Sequence, residues 1–115
     1  MGELDIGKSR MQACEAIIKV VRKKGALKFG EFKLSSGGSS SYYFDGRLIT
    51  LDSEGAYCVA SAILPELKSC GADAIAGPTI GADPIVSAAV VMSYVEGRPI
   101  VGLLVRGEAK RHGAR

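Results

Sequence analysis

The sequence is short of most features that would settle a function at once. It has no run of 18 apolar residues, so no segment is expected to span a membrane as a helix. Met1 to Arg10 lacks an apolar core followed by small residues, the pattern of a secretory leader. Three cysteines, Cys14, Cys58 and Cys70, form neither a CxxC pair nor an even set, and His112 is the only histidine. A zinc site and a disulfide framework are therefore not expected, and a reducing, cytoplasmic setting fits. Neither GxGxxG nor GxxxxGK[ST] occurs. Charge of one sign is also scarce: the net +3 resides in residues 106–115, where Arg106, Lys110, Arg111 and Arg115 face Glu108 alone. With a neutral remainder and no aromatic platform in the basic stretch, nucleic-acid binding has little support.

What is present, over 115 residues with 47% hydrophobic and 23% charged content, is one small globular domain. Ser9 and Gln12 form an S-x-x-Q capping pattern. Met11, Cys14, Ile17, Ile18 and Val21 follow at helical spacing, and Gly25 is placed to end that helix. In ALKFGEFKL (26–34) apolar and charged residues alternate, as in a strand with one wet face, and Gly30 breaks the phase where a bulge would sit. SSGGSSS (35–41) reads as a hairpin loop leading into the β-rich YYFDGRLI. Asp52 opens a second helix with Ala56, Val59, Ala60, Ile63, Leu64 and Leu67 as its stripe, Pro65 kinks or ends it, and Gly71 closes the segment.

The C-terminal half reads as a βαβ unit over 72–105. ADAIA is a short strand, and GPTIGADP (77–84) is a glycine loop. Asp83 and Pro84 are placed as N-cap and first residue of a third helix, and IVGLLV (100–105) is an apolar run expected to be buried on both faces. A loop between a strand's carboxyl end and a helix N-terminus is where open α/β sheets bind ligands, phosphates among them. Spacing alone leaves this loop open between phosphate contact and a plain tight turn. The stretch RGEAKRHG (106–113) suits a loop closing over a polyanion, or else a solvated tail. Tyr42, Tyr43 and Phe44 with Asp45 and Arg47 suit either strand core with a surface ion pair or an aromatic wall for a flat ring.

Together ALKFGEFKLSSG (26–37), SYYFDGRLITLDSEGAY (41–57), GPTIGADPI (77–85) and VRGEAKRHG (105–113) resemble, in order and spacing, the orotate phosphoribosyltransferase family. The resemblance runs from about residue 8 to the end. It implies an α/β type I phosphoribosyltransferase fold, a parallel sheet with flanking helices. A small N-terminal β hood would occupy 26–50 and a catalytic-type loop 106–115, within a single incomplete domain. The implied reaction moves ribose 5-phosphate from phosphoribosyl pyrophosphate to orotate, giving orotidine 5′-monophosphate and pyrophosphate in UMP synthesis. Mg²⁺ is implied as cofactor and a homodimer as the assembly, with the loop shared across subunits. Tyr43 and Phe44 match the pair that lies against orotate. Arg106, Lys110 and His112 match the pyrophosphate-engaging residues, Lys110 and His112 being catalytic. The chain departs from the family at Ser35, Gly81 and Gly107, where members often carry lysine. The family's acidic pair and Thr/Gly-rich phosphoribosyl pyrophosphate turn do not occur before Arg115, so these 115 residues alone are expected to be inactive. A ligand-sensing relative without transfer chemistry and a non-catalytic fragment are the alternatives.

Overall fold

In the computed structural model, residues 3–108 are described, with side chains from Arg10 onward. Helix α1 (Glu3–Lys24) leads into a hairpin of β1 (Leu27–Lys33) and β2 (Ser39–Phe44). A short helix α2 (Arg47–Thr50) and the long α3 (Ser53–Ser69) follow. The chain then forms β3 (Ala74–Pro78), α4 (Asp83–Val95) and β4 (Val101–Val105).

Helix α1 begins well before Ser9, so the S-x-x-Q pattern lies inside the helix rather than at its start. Its buried side also differs from the expected stripe. Val20 is buried and packs with Ala26 and Ile49, supported by Val21, Cys58 and Val59. Met11, Cys14 and Ile18 are exposed. Helices α2 and α3 cover α1 from one side, and that flank lies beyond their reach. Three helices end in the same way. Gly25, Gly71 and Gly97 all take positive φ, and each pair of closing bonds runs back into the last turn, such as Gly25 N–H to Arg22 and Ala26 N–H to Val21. This double closure satisfies carbonyls that a helix end leaves open.

The hairpin is antiparallel, with Leu27 opposite Phe44, Lys28 opposite Tyr43 and Phe29 opposite Tyr42. Its register shifts between Phe29 and Phe32, around Gly30, as the broken alternation predicts. The loop is shorter than 35–41, because Ser39, Ser40 and Ser41 belong to β2 and the turn is closed by Leu34 N–H to Gly38 C=O at 2.8 Å. The RLIT segment is helical rather than extended. Asp45 ends the strand, and its Oδ1 accepts from the Arg47 N–H at 3.2 Å, which starts the turn.

The helix opens at Asp52 as expected, and the structure adds that Asp52 caps it, Oδ2 accepting from Gly55 N–H at 2.9 Å, while Lys24 Nζ sits 3.0 Å from Oδ1. Gly55 is buried where a β-carbon would lie 2.1 Å from the Ile49 carbonyl oxygen, so α2 can rest directly on the first turn of α3. Pro65 does not end this helix, which continues to Ser69. At the other end of the α1–α3 pair, Arg10 donates from Nε and Nη2 to the Glu66 carboxylate, the second bond at 2.8 Å.

Strands β3 and β4 are parallel neighbours, Ala74 opposite Val101 through Pro78 opposite Val105, joined by α4 as crossover. The helix packs on both strands and on α3, around Leu64, Ala89 and Ile100. Ser93 is buried and bridges the unit: its hydroxyl donates to Val90 C=O at 2.7 Å and accepts from Ile100 N–H at 3.0 Å. The expectation for 100–105 holds only at its first residue. Ile100 is buried, but Val101 is 61% and Val105 52% exposed, and among the described residues β4 has a strand on one side only. The radius of gyration, 16.5 Å, exceeds the roughly 13 Å of a compact domain near this length.

Two outcomes follow from the contacts around α3. Gly55→Ala is expected to lose stability by about 1–3 kcal/mol from overpacking, despite alanine's better helix propensity, in urea unfolding followed by circular dichroism. The second concerns acid. The Gly55 N–H and Lys24 hold the Asp52 carboxyl below its usual range, and Arg10 does the same for Glu66. A carboxyl lowered by folding stabilises fully above its ordinary value and loses that contribution as pH falls through the folded value. Melting temperatures are therefore expected to drop below about pH 4, and Asp52→Asn should flatten that acid-side slope.

Candidate functional site

The carboxyl ends of β3 and β4 lie side by side because the strands are parallel and in register. This edge is where an open α/β sheet offers a ligand both a loop and a helix N-terminus. Thr79 N–H donates to Val105 C=O at 2.9 Å, docking the glycine loop onto the end of β4 one residue before Arg106. The loop then turns tightly: Ala82 N–H reaches Pro78 C=O at 3.0 Å and Asp83 N–H reaches Ile80 C=O at 3.1 Å. The Thr79–Ile80 peptide is cis.

Helix α4 starts one residue earlier in the chain than expected. Ala82 is its N-cap and makes no side-chain cap, whereas Asp83 lies in the first turn. There the carboxylate complements the positive helix end. Asp83 Oδ2 accepts from the Thr79 hydroxyl at 2.9 Å, and its Oδ1 is buried without a hydrogen-bond partner. The Thr79–Asp83 link is a feature the spacing did not reveal, since two polar residues four apart across a glycine have many possible geometries. Gly77 and Gly102 permit the close packing beneath the loop. A β-carbon would lie 2.5 Å from Ala82 Cβ at the first and 2.6 Å from Val86 Cγ1 at the second. At Gly81 and Gly107 it would meet nothing within 4 Å, so the backbone there is open to an approaching group.

Arg106 is exposed and forms no ion pair among the described residues. The structure thus brings the glycine loop and Arg106 to one edge. Lys110 and His112 lie outside the described residues. Tyr43 and Phe44 sit at the end of β2, both about half exposed. As strand neighbours they point to opposite faces, so the hairpin does not present both rings to one side. The Tyr43 ring lies 5.7 Å from that of Phe32, tilted by 36°. The hairpin packs on itself and has no extensive contact with β3, β4 or α4.

No protein-family model matches this chain. Curated relatives do. An orotate phosphoribosyltransferase of Synechocystis sp. is 49% identical over 90 residues, covering 78% of this chain and 45% of the relative. That of Aquifex aeolicus is 40% identical over 102 residues, 86% and 55% of the two chains. Among solved structures, the Mycobacterium tuberculosis orotate phosphoribosyltransferase superposes with a TM-score of 0.64 at 28% identity, over 91% of this chain and 55% of that one. The chain is related to the orotate phosphoribosyltransferases over about half of their length. The parallel β3–β4 pair with its crossover helix thus lies in a fold similar to that of a solved orotate phosphoribosyltransferase.

Thr79→Val removes the bond to Asp83 and leaves that carboxylate without its one donor. The variant is expected to lose about 1 kcal/mol of stability and to raise amide exchange at Gly81, Ala82 and Asp83 more than elsewhere, as read by NMR.

Proposed function

We propose that this chain supplies part of an orotate phosphoribosyltransferase site. The reaction is transfer of ribose 5-phosphate from phosphoribosyl pyrophosphate to orotate in the cytoplasm. The observation that carries the reading is the docking of the glycine loop on β4 beside Arg106, in a chain 49% identical to a curated enzyme of that name. In the reaction N1 of orotate bonds to the ribose C1′ as the bond from C1′ to the pyrophosphate oxygen breaks. Positive charge develops on the ribose and negative charge on the departing pyrophosphate. Cations placed before the bond breaks stabilise that charge most. Arg106 takes that part with its planar fork, and Lys110 and His112 act from the loop beyond it, reaching the partner subunit's site in a homodimer. Tyr43 or Phe44 provides the ring against the pyrimidine.

Among the described residues no group of three His, Cys, Asp or Glu side chains could hold a metal ion. The proposed Mg²⁺ is accordingly assigned to the phosphate oxygens of the substrate, the mode it favours over an all-protein cage. It would neutralise charge on the pyrophosphate. The remaining half of the relatives' length would bind the ribose and its 5′-phosphate.

Two constructions test this. The 115-residue polypeptide, given orotate, phosphoribosyl pyrophosphate and Mg²⁺, is expected to consume no orotate above background. Joined to the remaining portion of the Synechocystis enzyme, it is expected to turn over, and Arg106→Ala in that chimera should lower kcat by about 10²–10³-fold. Turnover by the 115 residues alone would overturn the division of the site. A folded, inactive chimera would overturn the assignment of the reaction.

A further inference from the structure

One side chain, Asp83, both fastens the glycine loop and charges it. Thr79 is the junction. Its N–H donates to Val105 C=O at 2.9 Å, which ties it to the end of β4 beside Arg106. Its hydroxyl donates to Asp83 Oδ2 at 2.9 Å, which ties it to the first turn of α4. The two ends of the turn 79–83 are thus joined through one carboxylate. The backbone closures at its ends use the N–H groups of Thr79, Ala82 and Asp83 and leave out those of Ile80 and Gly81. Those two residues form the outer part of the loop, Ile80 being 81% exposed, and the space above Gly81 is open.

The fastening needs only an acceptor oxygen, which a carboxamide would supply equally well. The carboxylate adds a negative charge. Among the described residues nothing donates to its buried Oδ1, and Asp83 joins no ion pair. The positive end of α4 is what offsets it. A helix end that could receive a phosphate is therefore already matched by an anion of its own first turn. A diphosphate at the loop meets a like charge two residues from Gly81. Gly81 and Gly107 carry no side chain to outweigh it, and Arg106 is the cation placed at this edge.

We propose that Asp83 is a positioning residue with an opposing charge. Its oxygen holds the loop, through Thr79, in the shape that receives the diphosphate, and its charge keeps that group loosely held, so that it departs once transfer is complete. This rests on reading the edge as the pyrophosphate side of the proposed site, and deepens it by naming the residue that sets how tightly the leaving group is retained.

The two roles predict effects of opposite sign. The test is calorimetric titration of the 115-residue chain with inorganic pyrophosphate at about 0.01 M and about 1 M ionic strength, between which the screening length falls from about 30 to about 3 Å. Asp83→Asn keeps the acceptor and removes the charge. It should bind about tenfold more tightly than wild type at low salt, and that gain should largely vanish at high salt. Asp83→Ala removes the acceptor as well and should bind about fivefold more weakly than Asp83→Asn. Thr79→Val, which keeps the charge and loses the clamp, should bind more weakly than wild type at both salts. Arg106→Ala should lose binding, and circular dichroism should show every variant folded. If Asp83→Asn binds no more tightly than wild type at low salt while Arg106→Ala loses pyrophosphate, the opposing charge is overturned and the reading of the edge stands. If Asp83→Asn and Asp83→Ala bind alike, the holding role is overturned. If neither the wild type nor Asp83→Asn binds pyrophosphate, the inference and the pyrophosphate side of the proposed function fall together.

Discussion

One buried hydroxyl holds the C-terminal unit in register. Ser93 sits in the last turns of α4, donates back to Val90 and receives the Ile100 N–H just before β4 begins. An apolar residue of similar size would leave that N–H buried and unpaired, a loss comparable to a hydrogen bond. The bond also has a geometric effect. It fixes where β4 starts relative to α4, and a strand advances by a constant rise, so it fixes where β4 ends. Arg106 and the Thr79–Val105 contact inherit their position from a link at the far end of the strand.

The N-terminal unit depends on charge at its surface and on an absent side chain within. Arg10–Glu66 at one end and Lys24–Asp52 and Lys23–Glu54 at the other tie α1 to α3. Exposed pairs of this kind contribute little each. The close seat of α2 on Gly55 does more, since it buries Ile49 against Val20 and Ala26. The Asp45 N–H to Ala26 C=O bond, 2.8 Å, then joins the end of the hairpin to that same cluster. The orientation of the aromatic residues is thereby tied to the α1–α3 core.

Local chemistry was the legible part of the sequence. Gly25, Gly71, the bulge at Gly30 and the start of α3 at Asp52 could all be read, because each depends on backbone conformation or on a bond within a few residues. The βαβ unit was legible for the same reason. What could not be read depends on neighbours distant in the chain. Which flank of α1 is buried is decided by where α3 lies, so Met11, Cys14 and Ile18 looked like core and are exposed. The apolar β4 looked doubly buried, yet burial needs a layer on each side. Arg47–Thr50 has β-forming residues, but the Asp45 carboxylate turned the chain into a helix first. At the site, Arg106 and the glycine loop were both found, whereas their adjacency came from strand register. Motif matching put Tyr43 and Phe44 together as a pair, although strand geometry sends adjacent side chains apart.

The one-sided pairing of β4 divides its own backbone. In a parallel strand each residue directs its N–H and C=O to the same side, and successive residues alternate. Val101 N–H bonds to Asp73 and Val105 C=O receives Thr79, so the odd-numbered residues face β3. Gly102 and Leu104 turn theirs outward, to the side that holds no strand among the described residues. Half of the strand is thus a closed ladder and half an open row of donors and acceptors, spaced two residues apart, between apolar side chains that are themselves uncovered. A surface of that form is a template: it specifies the direction, spacing and greasiness of a strand laid against it, before any such strand arrives.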